Sequence, residues 1–138
     1  MRSVATDDEA LHAAHARTCS DPMTRLALSF DLDGTLVDSL EDIAPSMNEA
    51  LTRSGFAPIP LETYRRIIGG GVHDLAASAA GTDDRAVVAQ LVADFDTAYA
   101  TRLCDRTAPY EGIRALLAHL RASDVALGVL SNKPHAAT

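Results

Sequence analysis

The stretch that decides the fold is residues 26–39, which read LALSFDLDGTLVDS. It opens with five apolar or β-compatible residues and then reaches two carboxylates, Asp31 and Asp33, followed at once by Gly34. A short apolar run that stops at acids and a glycine is typical of a buried strand ending in a functional loop. In open α/β sheets, ligands bind just beyond the carboxyl ends of the strands, so the candidate site begins at Asp31.

The two carboxylates are one residue apart, and they would point to the same side if the strand continued through them. Neighbouring carboxylates repel each other unless a cation or a proton intervenes. The pair therefore suits a hard metal such as Mg²⁺, or a division of labour between a nucleophile and a proton donor. Gly34 would let its N–H approach an anion. An Asp-Gly turn with solvated carboxylates fits the same letters, and the spacing alone leaves both readings open.

Composition narrows the class of protein. The 138 residues are 47% hydrophobic, which suits one domain with a packed core. The net charge of −7 argues against a nucleic-acid partner, which needs a basic face. Two cysteines, Cys19 and Cys104, do not make a disulfide framework or a zinc site. No apolar run is long enough for a transmembrane helix, and no signal-peptide pattern is present, so we expect a cytoplasmic protein without a membrane partner.

The apolar spacing predicts four helices after the first strand, over residues 39–54, 61–68, 72–80 and from 82 or 83 to about 103. Ser39 with Asp42 resembles a capping box at the first of them, and Thr82 or Asp83 is the expected cap of the last. The apolar stripe on the last helix runs as far as Tyr99, and its side chains are expected to serve packing alone.

Three glycines at 69–71 precede the third helix. Free N–H groups at a helix start can bind an anion, but the pattern favours a flexible turn between helices.

A second strand is predicted at residues 125–130, VALGVL, after a helix over about 113–123. Its continuous apolar character predicts burial on both faces. It ends at Ser131 and Asn132. The Ser131 hydroxyl can hydrogen-bond a phosphate oxygen, and the Asn132 amide can orient a ligand or the loop, although such a stretch by itself is most often a polar turn.

DLDGTLVDS resembles the first motif of the haloacid dehalogenase-like hydrolases at Asp31, Asp33, Gly34, Thr35, Leu36 and Asp38. The resemblance implies that Asp31 attacks phosphorus and becomes an aspartyl phosphate. It implies that Asp33 protonates the leaving alcohol and then deprotonates water. Ser131 takes the place of the family's second motif. The chain looks closest to the phosphoglycolate phosphatase-like branch, whose substrate would be a small phosphorylated metabolite.

The resemblance also implies the architecture: an α/β fold with a partial Rossmann-like parallel sheet core and an inserted helical cap. The core would comprise residues 23–38 and 106–138, the cap residues 39–105, and residues 1–22 would be a poorly ordered extension. Mg²⁺ would be bound by Asp31 and Asp33. The implied phosphate contacts are Gly34, Thr35, Ser131 and Asn132. The implied cap contacts to substrate are Gly70, Gly71 and His73.

Two further motifs of the family, a lysine and an acidic pair, are expected downstream of the second. Their absence suggests a truncated member with an open sheet edge at residues 26–30, prone to self-association and with little activity. Lys133 follows Ser131 directly and is not expected to replace the missing lysine. A phosphosugar mutase on the same scaffold, or an inactive fragment that acts only by association, remains an alternative. Assaying hydrolysis against isomerisation of a sugar phosphate would separate the phosphatase from the mutase. Measuring the size of the protein against its concentration would reveal a fragment that acts by association.

Overall fold

The computed structural model describes residues 26–133, so the predicted extension at 1–22 and the last five residues lie outside the described part. The elements, in chain order, are β1 (Ala27–Phe30), β2 (Val37–Asp38), α1 (Leu40–Arg53), α2 (Leu61–Ile67), α3 (Val72–Ala80), α4 (Arg85–Ala100), β3 (Ala108–Pro109), α5 (Ile113–Ala122) and β4 (Ala126–Val129). The helices and both main strands thus lie where the periodicity predicts them, within a few residues.

Strands β1 and β4 pair in parallel, in a register that runs from Ala27 opposite Ala126 to Phe30 opposite Val129. All five helices lie between these two strands in the sequence, as a parallel pair requires of its crossover connection. The predicted α/β class with a parallel sheet is confirmed. The ladder brings the end of β1, where Asp31 begins the candidate site, beside the end of β4.

A short antiparallel pair links the two halves of the molecule. Val37 lies opposite Pro109 and Asp38 opposite Ala108, so the chain leaves and re-enters the α/β part at one place. We call β2 and β3 together the stem. Helices α1–α4 all lie between its two strands, close to the cap boundaries drawn from the sequence. The division into core and cap remains our proposal.

The hydrophobic core lies among the four helices α1–α4, and α1 packs most extensively on α4. Its fully buried members include Met47 and Leu51 of α1, Tyr64 of α2 and Leu91 of α4. Helix α1 continues through Pro45. Because the core is built within this module, the module carries its own packing and can position side chains against the sheet.

The prediction that residues 125–130 are buried on both faces is wrong for the described structure. Every residue of β4 is exposed, and Leu130 after it is 76% exposed. A strand is buried only where other elements pack on its faces. Helix α5 contacts β4, yet none of its own residues is buried. Among residues 26–133, no helix is long and apolar enough to cross a membrane.

Two predicted caps are also wrong. Ser39 makes no side-chain cap hydrogen bond at α1: its ψ of 4° is not the extended conformation of a capping residue, and its side chain turns to Asp33, to which it donates. Asp42 accepts from the backbone N–H groups of Arg106 and Thr107, so it ties the start of α1 to the chain entering the stem. Helix α4 is capped by Asp84, whose carboxylate accepts from the N–H groups at positions 86 and 87, one residue beyond the expected caps.

Candidate active site

A tight loop follows β1. The carbonyl oxygen of Leu32 accepts the N–H groups of residues 35, 36 and 37, and Gly34 adopts a φ of +78°, which favours glycine. The Gly34 N–H donates to the Val37 carbonyl at 2.9 Å. The N–H groups of Gly34 and Thr35 are therefore used inside the loop in this conformation.

Asp33 is the most constrained side chain of the loop. Its Oδ1 accepts from Ser39 Oγ at 2.5 Å and from Lys133 Nζ at 2.9 Å. The Asp33 side chain is 14% exposed and the Lys133 side chain 8%. The ion pair joins the loop after β1 to the end of β4, in a place where solvent screens charges less than at the surface.

Lys133 also contacts the helical module. Its Nζ lies 5.1 Å from the ring centroid of Tyr99 in α4, and that ring stacks on Phe95 at a centroid distance of 5.2 Å. Burial lowers the pKa of Lys133, but its interactions with Tyr99 and Asp33 outweigh that effect, so the pKa is raised. Burial raises the pKa of Tyr99, and Lys133 opposes part of that rise. Lys133 is therefore held as an ammonium ion.

The end of β4 is connected to the glycine segment. The Asn132 side chain donates from Nδ2 to the carbonyl oxygen of Gly69 at 2.8 Å. Ser131 Oγ accepts from the Lys133 N–H at 3.2 Å, which leaves the hydroxyl proton of Ser131 as a donor for a ligand. Gly69 and Gly71 have φ values of +133° and +94°, so this segment needs glycine there.

A cavity of about 400 Å³ opens between the strand ends and the helices. Its polar end is lined by Asp31, Asp33, Ser131, Asn132 and Lys133. The opposite wall is mostly apolar, with one acid, and consists of Ile43, Ile68, Gly69, Gly71, Val72, Leu75, Phe95, Asp96, Tyr99, Ala100 and Leu103. Among these lining residues, Lys133 alone carries a full positive charge. The arrangement can bind a small molecule with one charged end and an uncharged remainder.

The structure brings most of the sequence-derived candidates together. Asp31, Asp33, Ser131, Asn132 and Gly71 all line the cavity. The other four candidates, Gly34, Thr35, Gly70 and His73, are exposed and are not among its lining residues. The role of every one of these residues remains a prediction.

Sequence reasoning missed Lys133, Tyr99 and Ser39. Lys133 was set aside because it follows Ser131, and Tyr99 was assigned to packing alone; both line the cavity, and the Lys133 ammonium lies 5.1 Å from the centroid of the Tyr99 ring. The register of the parallel ladder accounts for the position of Lys133, and no local pattern in the sequence gives that register. Continuing the ladder beyond Phe30 opposite Val129 carries Asp33 alongside Asn132, one residue from Lys133.

The residues at the polar end fit Mg²⁺ in part. Asp31 and Asp33 offer carboxylate oxygens, the ligand type that this ion prefers. Among the described residues, no group of three or more acidic, histidine or cysteine side chains could hold a metal. Mg²⁺ is usually bound through one or two carboxylates together with water and substrate phosphate, so the pair suits an ion that arrives with a phosphorylated ligand.

Comparisons with known proteins agree with the family that the sequence motif resembles. Residues 28–138 match the sequence model of a family described as haloacid dehalogenase-like hydrolase. The chain is 33% identical over 110 residues to a phosphoglycolate phosphatase of Caulobacter vibrioides, covering 77% of this chain and 46% of that protein. It is 39% identical over 111 residues to a phosphoglycolate phosphatase of Pseudomonas putida, covering 76% and 40%. The chain thus spans less than half the length of both relatives.

Solved structures agree in fold. A predicted phosphoglycolate phosphatase from Haemophilus somnus superposes with a TM-score of 0.73 at 29% identity, over 81% of this chain and 53% of the other. A predicted phosphatase from Clostridium acetobutylicum superposes with a TM-score of 0.74, over 82% and 52%; at 24% identity this likeness concerns the fold alone.

Proposed function

Because the chain belongs to the haloacid dehalogenase-like hydrolases, we propose that it carries the nucleophile and the acid–base residue for hydrolysis of a small phosphomonoester. One observation carries the proposal: the carboxylates of Asp31 and Asp33 and the polar groups of Ser131 and Asn132 line a single cavity at the ends of two paired parallel strands. Relatives named phosphoglycolate phosphatases support the hydrolytic reading over that of a mutase.

In the first step, a carboxylate oxygen of Asp31 attacks phosphorus, and the bond between phosphorus and the leaving oxygen breaks. Asp33 gives its proton to that oxygen, which leaves as an alcohol. The Ser131 hydroxyl and the remaining amide hydrogen of Asn132 donate to the phosphoryl oxygens. Gly34 and Thr35 remain proposed phosphate contacts, and of these the Thr35 hydroxyl is favoured because both backbone N–H groups are used within the loop.

In the second step, Asp33 accepts a proton from water while the water oxygen attacks phosphorus. The bond between phosphorus and Asp31 breaks, phosphate leaves, and both carboxyl groups return to their first state. Ser39 and Lys133 hold one oxygen of Asp33 in place, so the other oxygen is the one assigned to the proton transfers.

We assign Mg²⁺ to the polar end of the cavity, with Asp31 and Asp33 as its protein ligands. When bound, it would neutralise charge on the phosphoryl group during the attack. The two carboxylates supply only part of the coordination that the ion requires. We therefore expect weak binding of Mg²⁺ by residues 1–138 in the absence of a phosphorylated ligand.

The residues of the wall opposite the strand ends are relevant to the charge of the substrate's leaving group. A phosphoglycolate-like substrate carries a second anionic group, its carboxylate. In the described lining, that carboxylate would face apolar side chains and Asp96, while Lys133 is already engaged with Asp33. Gly70, Gly71 and His73 remain proposed cap contacts. A substrate panel should therefore include phosphate esters with an uncharged leaving group as well as phosphoglycolate.

We propose that the reaction takes place in the cytoplasm.

The test is phosphate release by purified residues 1–138 with Mg²⁺ and either phosphoglycolate or p-nitrophenyl phosphate. We expect turnover below about 1 per second, since the metal site is only partly formed. Whatever release occurs should require Asp31. Asp31→Asn removes the nucleophile while preserving shape, and Asp38→Asn, on the stem outside the cavity lining, is the matched control. Release that persists in Asp31→Asn would show that the nucleophile lies elsewhere.

A further inference from the structure

The sequence contains one lysine, Lys133, among its twelve basic residues. Its ammonium group lies 2.9 Å from Asp33 Oδ1, and its side chain is 8% exposed. Removing an ammonium from water is costly unless its partners replace the lost solvation. A surface lysine needs no such arrangement, so the placement of this single lysine calls for a specific role.

The contacts at Asp33 Oδ1 restrict how the carboxylate can turn. Ser39 Oγ and Lys133 Nζ both donate to the same oxygen. Rotating the carboxylate to exchange its two oxygens would break both hydrogen bonds at once. The second oxygen is therefore the one left to interact with a ligand in the cavity.

Lys133 is in turn held by the helical module. Its ammonium lies over the ring of Tyr99, and an ammonium near an aromatic face is attracted to it. Tyr99 is 5% exposed, and the ring of Phe95 stacks on it, so its position follows that of α4. Lys133 thus bridges a residue of the loop after β1 and a residue of the helices.

We propose that Lys133 is a positioning residue that fixes the orientation of Asp33 and takes its own position from Tyr99. The helical module and the acid are then coupled through one ammonium group. The chemical use of that orientation rests on the proposed function, whereas the coupling itself is measured without turnover. A failed phosphatase assay and a failed coupling experiment are therefore distinguishable.

The experiment observes Asp33 directly in residues 1–138 labelled with ¹³C at the aspartate carboxyl carbons. Asp33→Asn identifies the signal by its disappearance. We expect Lys133→Met to shift and broaden the Asp33 signal, because the carboxylate loses its fixed orientation. Lys133→Arg should bring the Asp33 signal most of the way back to its native chemical shift, because the positive charge is kept. The recovery should be incomplete, because a guanidinium lacks the compact geometry of an ammonium group.

The decisive variant is Tyr99→Leu. It should move the Asp33 signal in the same direction as Lys133→Met, and it should add nothing further when Lys133 is already methionine. Leu103→Ala, which lines the same cavity from the same side, is the matched control and should leave the signal in place. Helix content by circular dichroism verifies that each variant is folded.

Lys133→Gln keeps the test valid if Lys133→Met does not fold. Its neutral amide removes the charge while keeping a polar side chain at this position, and Lys133→Arg is again the charged control. The shift of Asp33 should match the one expected for Lys133→Met. An unmoved Asp33 signal after loss of the ammonium would overturn the proposal. A full Tyr99→Leu effect that persists without Lys133 would overturn it as well.

Discussion

Replacing Asp42 with alanine should remove about 2–4.5 kcal/mol of the unfolding free energy. The carboxylate is 1% exposed and accepts three donors: the Arg106 N–H at 3.0 Å, the Thr107 N–H at 2.8 Å and the Thr107 hydroxyl at 2.6 Å. Hydrogen bonds to a charged group contribute about 1.5–3 kcal/mol each, or about 4.5–9 kcal/mol for three. Arg106 is exposed and Thr107 half-buried, so water would recover about half of this.

Matched variants separate the parts of this estimate. Thr107→Val removes the hydroxyl alone and should cost about 1–2 kcal/mol. Asp42→Asn keeps the shape but turns an N–H₂ group toward backbone donors, so its cost should lie between the other two. The assay is urea unfolding followed by circular dichroism at pH 7. A loss below about 1 kcal/mol for Asp42→Ala would refute the idea that this carboxylate holds the stem to α1.

The pH dependence gives an independent check. Burial raises the pKa of Asp42, but the hydrogen bonds from Thr107 and Arg106 outweigh it, so the pKa lies below the ordinary 3.8. A carboxyl group with a lowered folded pKa contributes stability above its unfolded pKa and loses it as the pH falls through the folded one. The wild-type protein should therefore lose this contribution below about pH 4. Asp42→Asn should lack that part of the acid sensitivity.

Three further predictions concern chemistry, alkaline stability and association. Asp33→Asn should slow phosphate release by about 10²–10⁴-fold for poor leaving groups and by less for p-nitrophenyl phosphate, and equal losses would remove its acid–base role. Burial raises the pKa of Tyr64 from 10.0 to about 12, so its stabilisation is complete below pH 10 and lost toward pH 12. The wild-type advantage over Tyr64→Phe in urea unfolding should therefore shrink by about 1.4 kcal/mol between pH 8 and pH 11, whereas a constant difference would contradict that pKa. Sedimentation of residues 1–138 should show association that rises with concentration through the exposed end of β4 and falls in Leu130→Lys; a size independent of concentration would argue against it.

Periodicity and the family motif were enough to predict the helices and the parallel pair. The strand ends at Asp31 and Ser131 follow from apolar runs that stop at polar residues, which is a local signal. The position of Lys133 depends on the ladder register between β1 and β4, and no local pattern states that register. The same residue could have been found only by aligning the two strand ends.

The capping errors have a different origin. A serine and an acid three residues apart form a capping box when nothing competes for them. Here Ser39 has a carboxylate partner in Asp33, and Asp42 has buried backbone donors at 106 and 107. These partners are distant in sequence or belong to another loop. The predicted burial of β4 is wrong for a related reason, because the sequence of a strand does not show which elements will pack on its faces.

The stem has a consequence for the order of folding. Pairing β1 with β4 joins positions about a hundred residues apart, and the entropy cost of closing a flexible loop grows as (3/2)RT ln n. Once α1–α4 have folded, the stem holds the two ends of their segment together, with Val37 opposite Pro109. The flexible chain still to be closed is then about a quarter as long, which saves about 1.2 kcal/mol of closure entropy. We therefore expect the helices to serve as a folded spacer and the parallel sheet to assemble last.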